Sequence, residues 1–296
     1  MPGPTPDSAV ISAARPRESP LGLTVRTLLR RRSSRIALVL LGVIVLVGAL
    51  APFIAPSAPA AQPDIVALKD LPPSLAHPFG TDPYSRDVLS RVLYGARLSL
   101  MIGILATIVS LTVGVAYGAI AGYMGGTLDA LMMRVLDAFL SIPRLLLMLG
   151  VLVAWPHLSI GALVLFLGLT GWFGLSRIVR GQVLALKHAE FVTAAQALGA
   201  SSTRILVRHL LPNLVSPIAV SATLGVAHVI VLEAGLSYLG IGVPQPLASW
   251  GNIIQDGADQ AAALWWMSFF PGLFMVLTVM TLNILGEALR DAYERR

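Results

Sequence analysis

The chain has 296 residues, of which 56% are hydrophobic and 12% are charged. That charged share is about half the ~25% of ordinary soluble domains, which excludes a disordered tail, an extended coiled coil and a water-soluble enzyme. Zero cysteines exclude a disulfide framework, a thiolate metal site and a cysteine nucleophile, and the +6 balance fits the basic inner loops of a membrane protein better than a nucleic-acid patch.

Residues 1–35 read as a basic cytoplasmic segment. Arg15, Arg17, Arg26, Arg30, Arg31, Arg32 and Arg35 face only Asp7 and Glu18 there, and the Pro and Ser content of residues 1–30 argues against order. The first transmembrane helix is placed at 36–55. Its stretch Ile36–Ile54 runs 19 residues without a charge, roughly 28 Å of helix against a ~30 Å hydrocarbon core. A cleaved signal peptide is the rival reading, suggested by Ala58-Pro59-Ala60. The apolar run is longer than the ~7–15 residues usual for such a signal.

Residues 56–97 form a Pro-rich extracytoplasmic segment in which Lys69, Arg86, Arg91 and Arg97 balance Asp64, Asp70, Asp82 and Asp87. Its last part, Asp87–Leu100, reads as an amphipathic helix leading into span two, Leu98–Tyr123. Ser110, Gly114, Gly118, Gly122 and Gly126 recur every four residues there, a small-residue face on which a second helix can approach closely. Packing within the chain is favoured over a dimer contact.

Span three, Ser141–Trp155, is short and contains Arg144. Upstream, 127–142 reads as an interfacial helix carrying Asp129, with Arg134 and Asp137 spaced to pair with each other. Pro156 and His157 fit an outer hairpin, and Leu158–Ser176 is span four. Spans five and six fall at Leu214–Ala234 and Leu264–Leu285. The membrane core is bounded at 98–290, with a cytoplasmic tail at 291–296.

Charge then orients the chain. The 177–213 loop holds Arg177, Arg180, Lys187, Arg204 and Arg208 against Glu190, whereas the 235–263 loop holds Asp256 and Asp259 and no base. Basic loops stay inside, so both termini and the 177–213 loop are expected in the cytoplasm. The expected class is an all-α membrane protein of six transmembrane helices.

No site for covalent chemistry is legible. A phosphate-cradling loop needs Gly before Lys-Ser or Lys-Thr, and the two lysines, Lys69 and Lys187, each follow Leu. Any ATP is therefore expected on another chain. Histidines 77, 157, 188, 209 and 228 are scattered, and no catalytic, cofactor-binding or metal-binding residue is assigned. For a stand-alone secondary transporter, His228 and Glu233 are the candidate relay, but five positions apart they do not share a helix face.

The segment from Glu190 to Pro217 is apolar and Ala-rich although it belongs to a cytoplasmic loop. A short helix fits Ala189–Leu198, with Glu190 in its first turn, Gly199 free to take positive φ and end it, and Ser201 or Ser202 capping the next helix. Pro212 limits that helix where it enters span five. Its small face invites another protein to approach closely; an amphipathic helix lying in lipid is the alternative.

This segment resembles the coupling motif of ATP-binding-cassette (ABC) importer permeases: Ala194-Ala195, three residues, Gly199, nine residues, then His209-Leu210-Leu211-Pro212. Thr193 stands where the family carries Glu, and His209 where an apolar residue is usual. Glu190 offers a carboxylate one turn earlier. His77-Pro78-Phe79-Gly80-Thr81-Asp82, Ser85 through Arg91, Tyr94 through Arg97, Leu236–Gly242, Ser249-Trp250-Gly251, Phe270-Pro271-Gly272 and Asn283–Gly286 are similar to dipeptide and oligopeptide permeases of the C type.

That resemblance, over about residues 25–292, implies the MetI-like ABC permease fold in a bacterial inner membrane. It also implies a homologous B-type permease partner, two ABC ATPase subunits that carry ATP and Mg, and an extracytoplasmic peptide-binding protein. It places the ATPase contact on a coupling helix at about 189–199 (Glu190, Thr193, Ala194, Ala195, Leu198 and Gly199) and puts Leu211 and Pro212 at the entrance to span five. Tyr238 and Trp250 are candidates for the outer mouth or the binding-protein contact. Peptide is the expected cargo, ahead of nickel or glutathione.

Overall fold

A computed structural model describes Leu29 and residues 31–155 and 158–294. The basic positions Arg15, Arg17, Arg26, Arg30, Arg295 and Arg296, and the hairpin residues Pro156 and His157, lie outside the described residues. The described chain is helical, with an isolated bridge between Thr81 and Asp87 and no strand.

Helix α1, Arg32–Ile54, presents Ile36, Val39, Leu46 and Phe53 outward and buries Ala37, Ile44, Gly48 and Ala51. Small inward residues let it lie close on its neighbours, and large apolar residues turned outward are stable only where the surroundings are apolar too. Helix α2 spans Val88–Met124, 37 residues or roughly 55 Å. It starts where the Asp87 carboxylate accepts hydrogen bonds from the Ser90 N–H at 2.8 Å and the Ser90 hydroxyl at 2.7 Å. The amphipathic lead-in and span two are thus one unbroken helix.

Span three differs from its expectation. Helices α3, Gly126–Leu140, and α4, Arg144–Ala154, are separated at Ser141–Pro143, because Pro143 has no N–H and disfavours helix at the residue before it. Helix α4 has 11 residues, roughly 16 Å, too short to cross a bilayer unaided. Span four is also recast. Helices α5, Ile160–Leu169, and α6, Phe173–Leu186, form a pair bent by 43° at Thr170–Trp172. Arg177 and Arg180 therefore stand on α6 rather than in a loop.

The short helix α7 covers Glu190–Ala197, and α8 covers Ser202–Ile205. A π turn at Leu206–Leu210 and a 3-10 turn at Leu211–Leu214 join α8 to α9, Val215–Tyr238. Helices α10, Trp250–Asp256, and α11, Trp265–Glu294, complete the chain. Four helical stretches are long and apolar enough to cross a membrane, and the bent pair makes a fifth.

Two opposite faces are tied by polar contacts. On one, Asp82 and Asp256 share Arg86 and Arg91, joining the 56–97 segment to α10. On the other, Arg31 pairs with Asp291 at 2.5 Å, which puts the start of α1 beside the end of α11.

Candidate functional site

Helix α7 has a buried side and a bare side. Val192 and Ala195 point inward to a cluster with Ala119 of α2, Val179 and Val183 of α6, and Ile205, Leu210 and Leu214 beyond. Glu190, Thr193, Ala194, Leu198 and Gly199 are exposed, Leu198 by 89%. The bare side thus sets one large apolar residue, Leu198, beside the small residues Ala194 and Gly199. Ala195, expected on that surface, is 8% exposed and faces the core.

Local geometry holds the helix in place. Gly199 has φ +78°, the left-handed backbone that ends a helix cheaply in glycine, and Ala200 N–H reaches back to the Ala195 carbonyl at 3.0 Å. The Ser201 hydroxyl caps the next turn by accepting from Arg204 N–H. The Thr193 hydroxyl donates to the Ala189 carbonyl at 3.3 Å, so it is engaged within its own turn. Leu211 is half-buried, and Pro212 is exposed in the 3-10 turn where its missing N–H interrupts the regular ladder.

Helix α6 carries this platform to the membrane core. Its side packs on the small face of α2, where a Cβ on Gly118 would lie 2.4 Å from the Ser176 carbonyl oxygen. Arg180 donates two hydrogen bonds to Asp129, at 2.5 and 2.6 Å, and these hold the Asp129 carboxyl below the usual carboxylate range. Asp137 pairs with Arg177 rather than with Arg134 three residues away. That corrects the local pairing expected for this helix: sequence spacing cannot reveal a partner 40 residues on.

At the opposite face, Asp82 Oδ2 accepts from Arg86 Nε at 2.5 Å and Arg91 Nη1 at 2.6 Å, and Asp256 Oδ2 accepts from the same two arginines at 2.7 and 2.8 Å. Phe79 stacks on Phe270 with centroids 3.8 Å apart, and the Trp266 indole donates to the Thr81 carbonyl at 3.0 Å. The His-Pro-Phe-Gly-Thr-Asp segment is therefore a clamp between the ends of α2, α10 and α11. Tyr238 is exposed there. Trp250 is fully buried, its indole donating to the Val92 carbonyl at 3.2 Å, so it is scaffold and cannot itself touch a binding protein.

His228 and Glu233 part company. His228 lines a cavity with Arg144, whereas Glu233 is buried and accepts from Ser237 at 2.7 Å and Ser99 at 3.3 Å. Arg144 is the position whose setting sequence reasoning missed. Its signal was a lone charge in an apolar run with no acid within a helical turn.

Comparison with known proteins bears on the same elements. The family described as binding-protein-dependent transport system inner membrane component matches residues 114–296, and the N-terminal TM domain of oligopeptide transport permease C matches residues 19–73. The chain is similar to the oligopeptide transport system permease protein OppC of Bacillus subtilis, 42% identical over 93% of this chain and 90% of that protein. It is also similar to the dipeptide transport system permease protein DppC of the same organism, 39% identical over 91% of this chain and 83% of the relative. The OppC of Haemophilus influenzae is 42% identical over 74% of this chain and 70% of its own length.

Proposed function

Because the chain belongs to the family of binding-protein-dependent transport system inner membrane components, we propose that it is a permease subunit of an ATP-driven ABC importer for dipeptides or oligopeptides. It works beside a homologous permease, on two cytoplasmic ATPase subunits that hold ATP and Mg, and receives cargo from an extracytoplasmic binding protein. It performs no covalent step itself. The chain crosses the membrane six times, with α4 completing the third crossing together with its flanks and both termini in the cytoplasm.

The bare face of α7 carries this reading. Glu190, Thr193, Ala194, Leu198 and Gly199 form a shallow surface for an ATPase groove, while Val192 and Ala195 turn the other side of the helix into the cluster that also holds Ala119 of α2 and Val179 and Val183 of α6. A displacement of α7 as the ATPases close then moves the membrane helices with it, because close-packed apolar contacts transmit displacement rather than absorb it. ATP drives the change by binding the closed ATPase pair more tightly than the open one. Leu211 and Pro212 end the platform where span five begins.

The experiment is reconstitution of the full assembly in vesicles with the binding protein outside and ATP inside. ATP-dependent accumulation of labelled di- and oligopeptides is expected. Uptake by this chain alone, driven by an ion gradient, would refute the reading. The chain has no cysteine, so single cysteines placed at Arg31 and Ser57 report sidedness directly; both reacting from the same side would overturn the proposed topology.

A further inference from the structure

A cavity of about 640 Å³ lies among α2, α6, α9 and α11. Thr107 and Ser110 stand near the middle of α2, His228 near the middle of α9 and Val279 at the centre of α11, and all of them line it. The cavity therefore sits near half-depth of the apolar belt. Most of its wall is aliphatic, and Ser221 and Asn283 add neutral polar groups.

Arg144, at the start of α4, is the one lining residue with a permanent charge. Its Nη2 donates to the Leu167 carbonyl at 3.0 Å and lies 3.4 Å from Thr170 Oγ1. The helix break makes that carbonyl available, because Gly171 N–H turns to the Gly168 carbonyl instead. A Cβ on Gly171 would come within 3.1 Å of both Arg144 Nη2 and Ser110 Oγ, so glycine there leaves the room the guanidinium occupies.

Among the described residues no carboxylate pairs with Arg144. The arginine ion pairs among the described residues join Arg31, Arg86, Arg91, Arg177 and Arg180 to aspartates, and Arg144 takes part in none of them. Its Nε is buried without a hydrogen-bond partner. An unpaired guanidinium at membrane depth is costly to keep and is suited to an anion that visits. Its planar array of donors matches a carboxylate in particular. No Asp or Glu lines the cavity among the described residues, so no opposite charge there would hold an ammonium group.

We infer that this cavity is a station on the cargo path, in which Arg144 receives the C-terminal carboxylate of the passing peptide. This rests on the peptide-importer reading and adds a polarity to it: the carboxylate end is held at mid-membrane and the amino end is not. The aliphatic wall accepts side chains with little discrimination, which suits a carrier of peptides of varied sequence.

The test uses the reconstituted assembly and two forms of one peptide, the free acid and its C-terminal amide. Uptake is measured with the natural chain and with Arg144→Gln and Arg144→Lys. The same binding protein delivers both forms, so its own preference cancels when ratios are compared between chains. Loss of one charge-assisted contact is expected to lower the acid-to-amide uptake ratio about tenfold in Arg144→Gln, with much of it restored in Arg144→Lys.

An unchanged ratio in Arg144→Gln overturns the inference while leaving peptide transport standing; no peptide uptake by the natural assembly overturns the importer reading instead. If Arg144→Gln fails to assemble, a peptide carrying a photoreactive group at its C-terminal residue is crosslinked in the natural assembly. Adducts on Ile178, Ser221 or Val279 support the station. Adducts confined to other parts of this chain, or absent from it, refute it.

Discussion

Arg180 of α6 clasps Asp129 of α3 through two hydrogen bonds, at 2.5 and 2.6 Å, across 51 positions of sequence. The side-on geometry pairs a planar guanidinium with a planar carboxylate, the arrangement in which such contacts are strongest. It fixes the amphipathic helix α3 against the part of α6 that leads to α7.

Removing either partner strands the other in a half-buried site. Asp129→Asn and Arg180→Gln are each expected to destabilise the purified chain by about 1–3 kcal/mol, with the double variant little worse than either single one. Because Arg180 holds the Asp129 carboxyl below its usual range, the pair's contribution is present above the unfolded carboxylate pKa and is lost as pH falls through the lower folded value. Thermal unfolding in detergent at neutral and acid pH measures both effects; strictly additive single effects would show that the two groups do not interact.

Gly118 and Gly181 make a contrasting pair. A Cβ on Gly118 would stand 2.4 Å from the Ser176 carbonyl oxygen, whereas a Cβ on Gly181 meets nothing within 4 Å. Gly118→Ala is expected to force α2 and α6 apart at a cost of about 1–3 kcal/mol. Gly181→Ala, in the interior of the same α6, is expected to stabilise by about 0.5–1 kcal/mol through the lost freedom of glycine. Unfolding midpoints that move in the same direction for both variants would contradict this packing.

The two glycines also show what the amino-acid pattern can carry. Small residues every four positions from Ser110 announce a close helix contact, and α6 fills it at Gly114, Gly118 and Gly122, whereas Gly126 lies past the end of α2 with nothing within 4 Å of its Cβ position. Hydropathy located the four long apolar helices because it depends only on composition along the chain. It could not locate the 43° bend at Thr170–Trp172, since direction is set by which carbonyls lose their partners and not by how apolar the run is. Ala194, Ala195 and Gly199 were legible as a short helix and its stop, but which alanine faces inward depends on the orientation of α7 against Val179 and Val183. Trp250 is a candidate for the outer mouth because 236–251 is rich in Gly, Pro and Trp and is placed outward; its burial follows from the distant Val92 and Gly95, which sequence proximity does not supply.

The clamp of Asp82, Arg86, Arg91 and Asp256 buries two cations with two anions. Asp256→Ala leaves two guanidinium groups sharing one carboxylate, and breaking a buried pair in this way costs about 3–5 kcal/mol. The variant is expected to accumulate poorly in membranes. Asp256→Ala combined with Arg91→Met restores the balance of one cation to one anion and is expected to recover part of the yield. Membrane abundance of the tagged chain reads this out, and normal abundance of the single variant would mean the clamp contributes little.

Leu198 and Ala195 separate docking from folding on the same short helix. Leu198 is bare, so Leu198→Ser removes apolar contact area without disturbing any described packing, and the chain should insert and unfold as before. Docking should suffer, because an exposed leucine seated in a partner's groove contributes about 1.5–3 kcal/mol, or roughly a tenfold or greater loss of ATPase affinity. Ala195→Glu instead drives a carboxylate into the cluster of Val179, Val183 and Ile205, so its first effect falls on the stability of the permease itself. Co-purification of the ATPase subunits, measured beside the unfolding midpoint of the permease, distinguishes the two. Full ATPase recovery with Leu198→Ser would mean that the bare face of α7 is not where the motor protein sits.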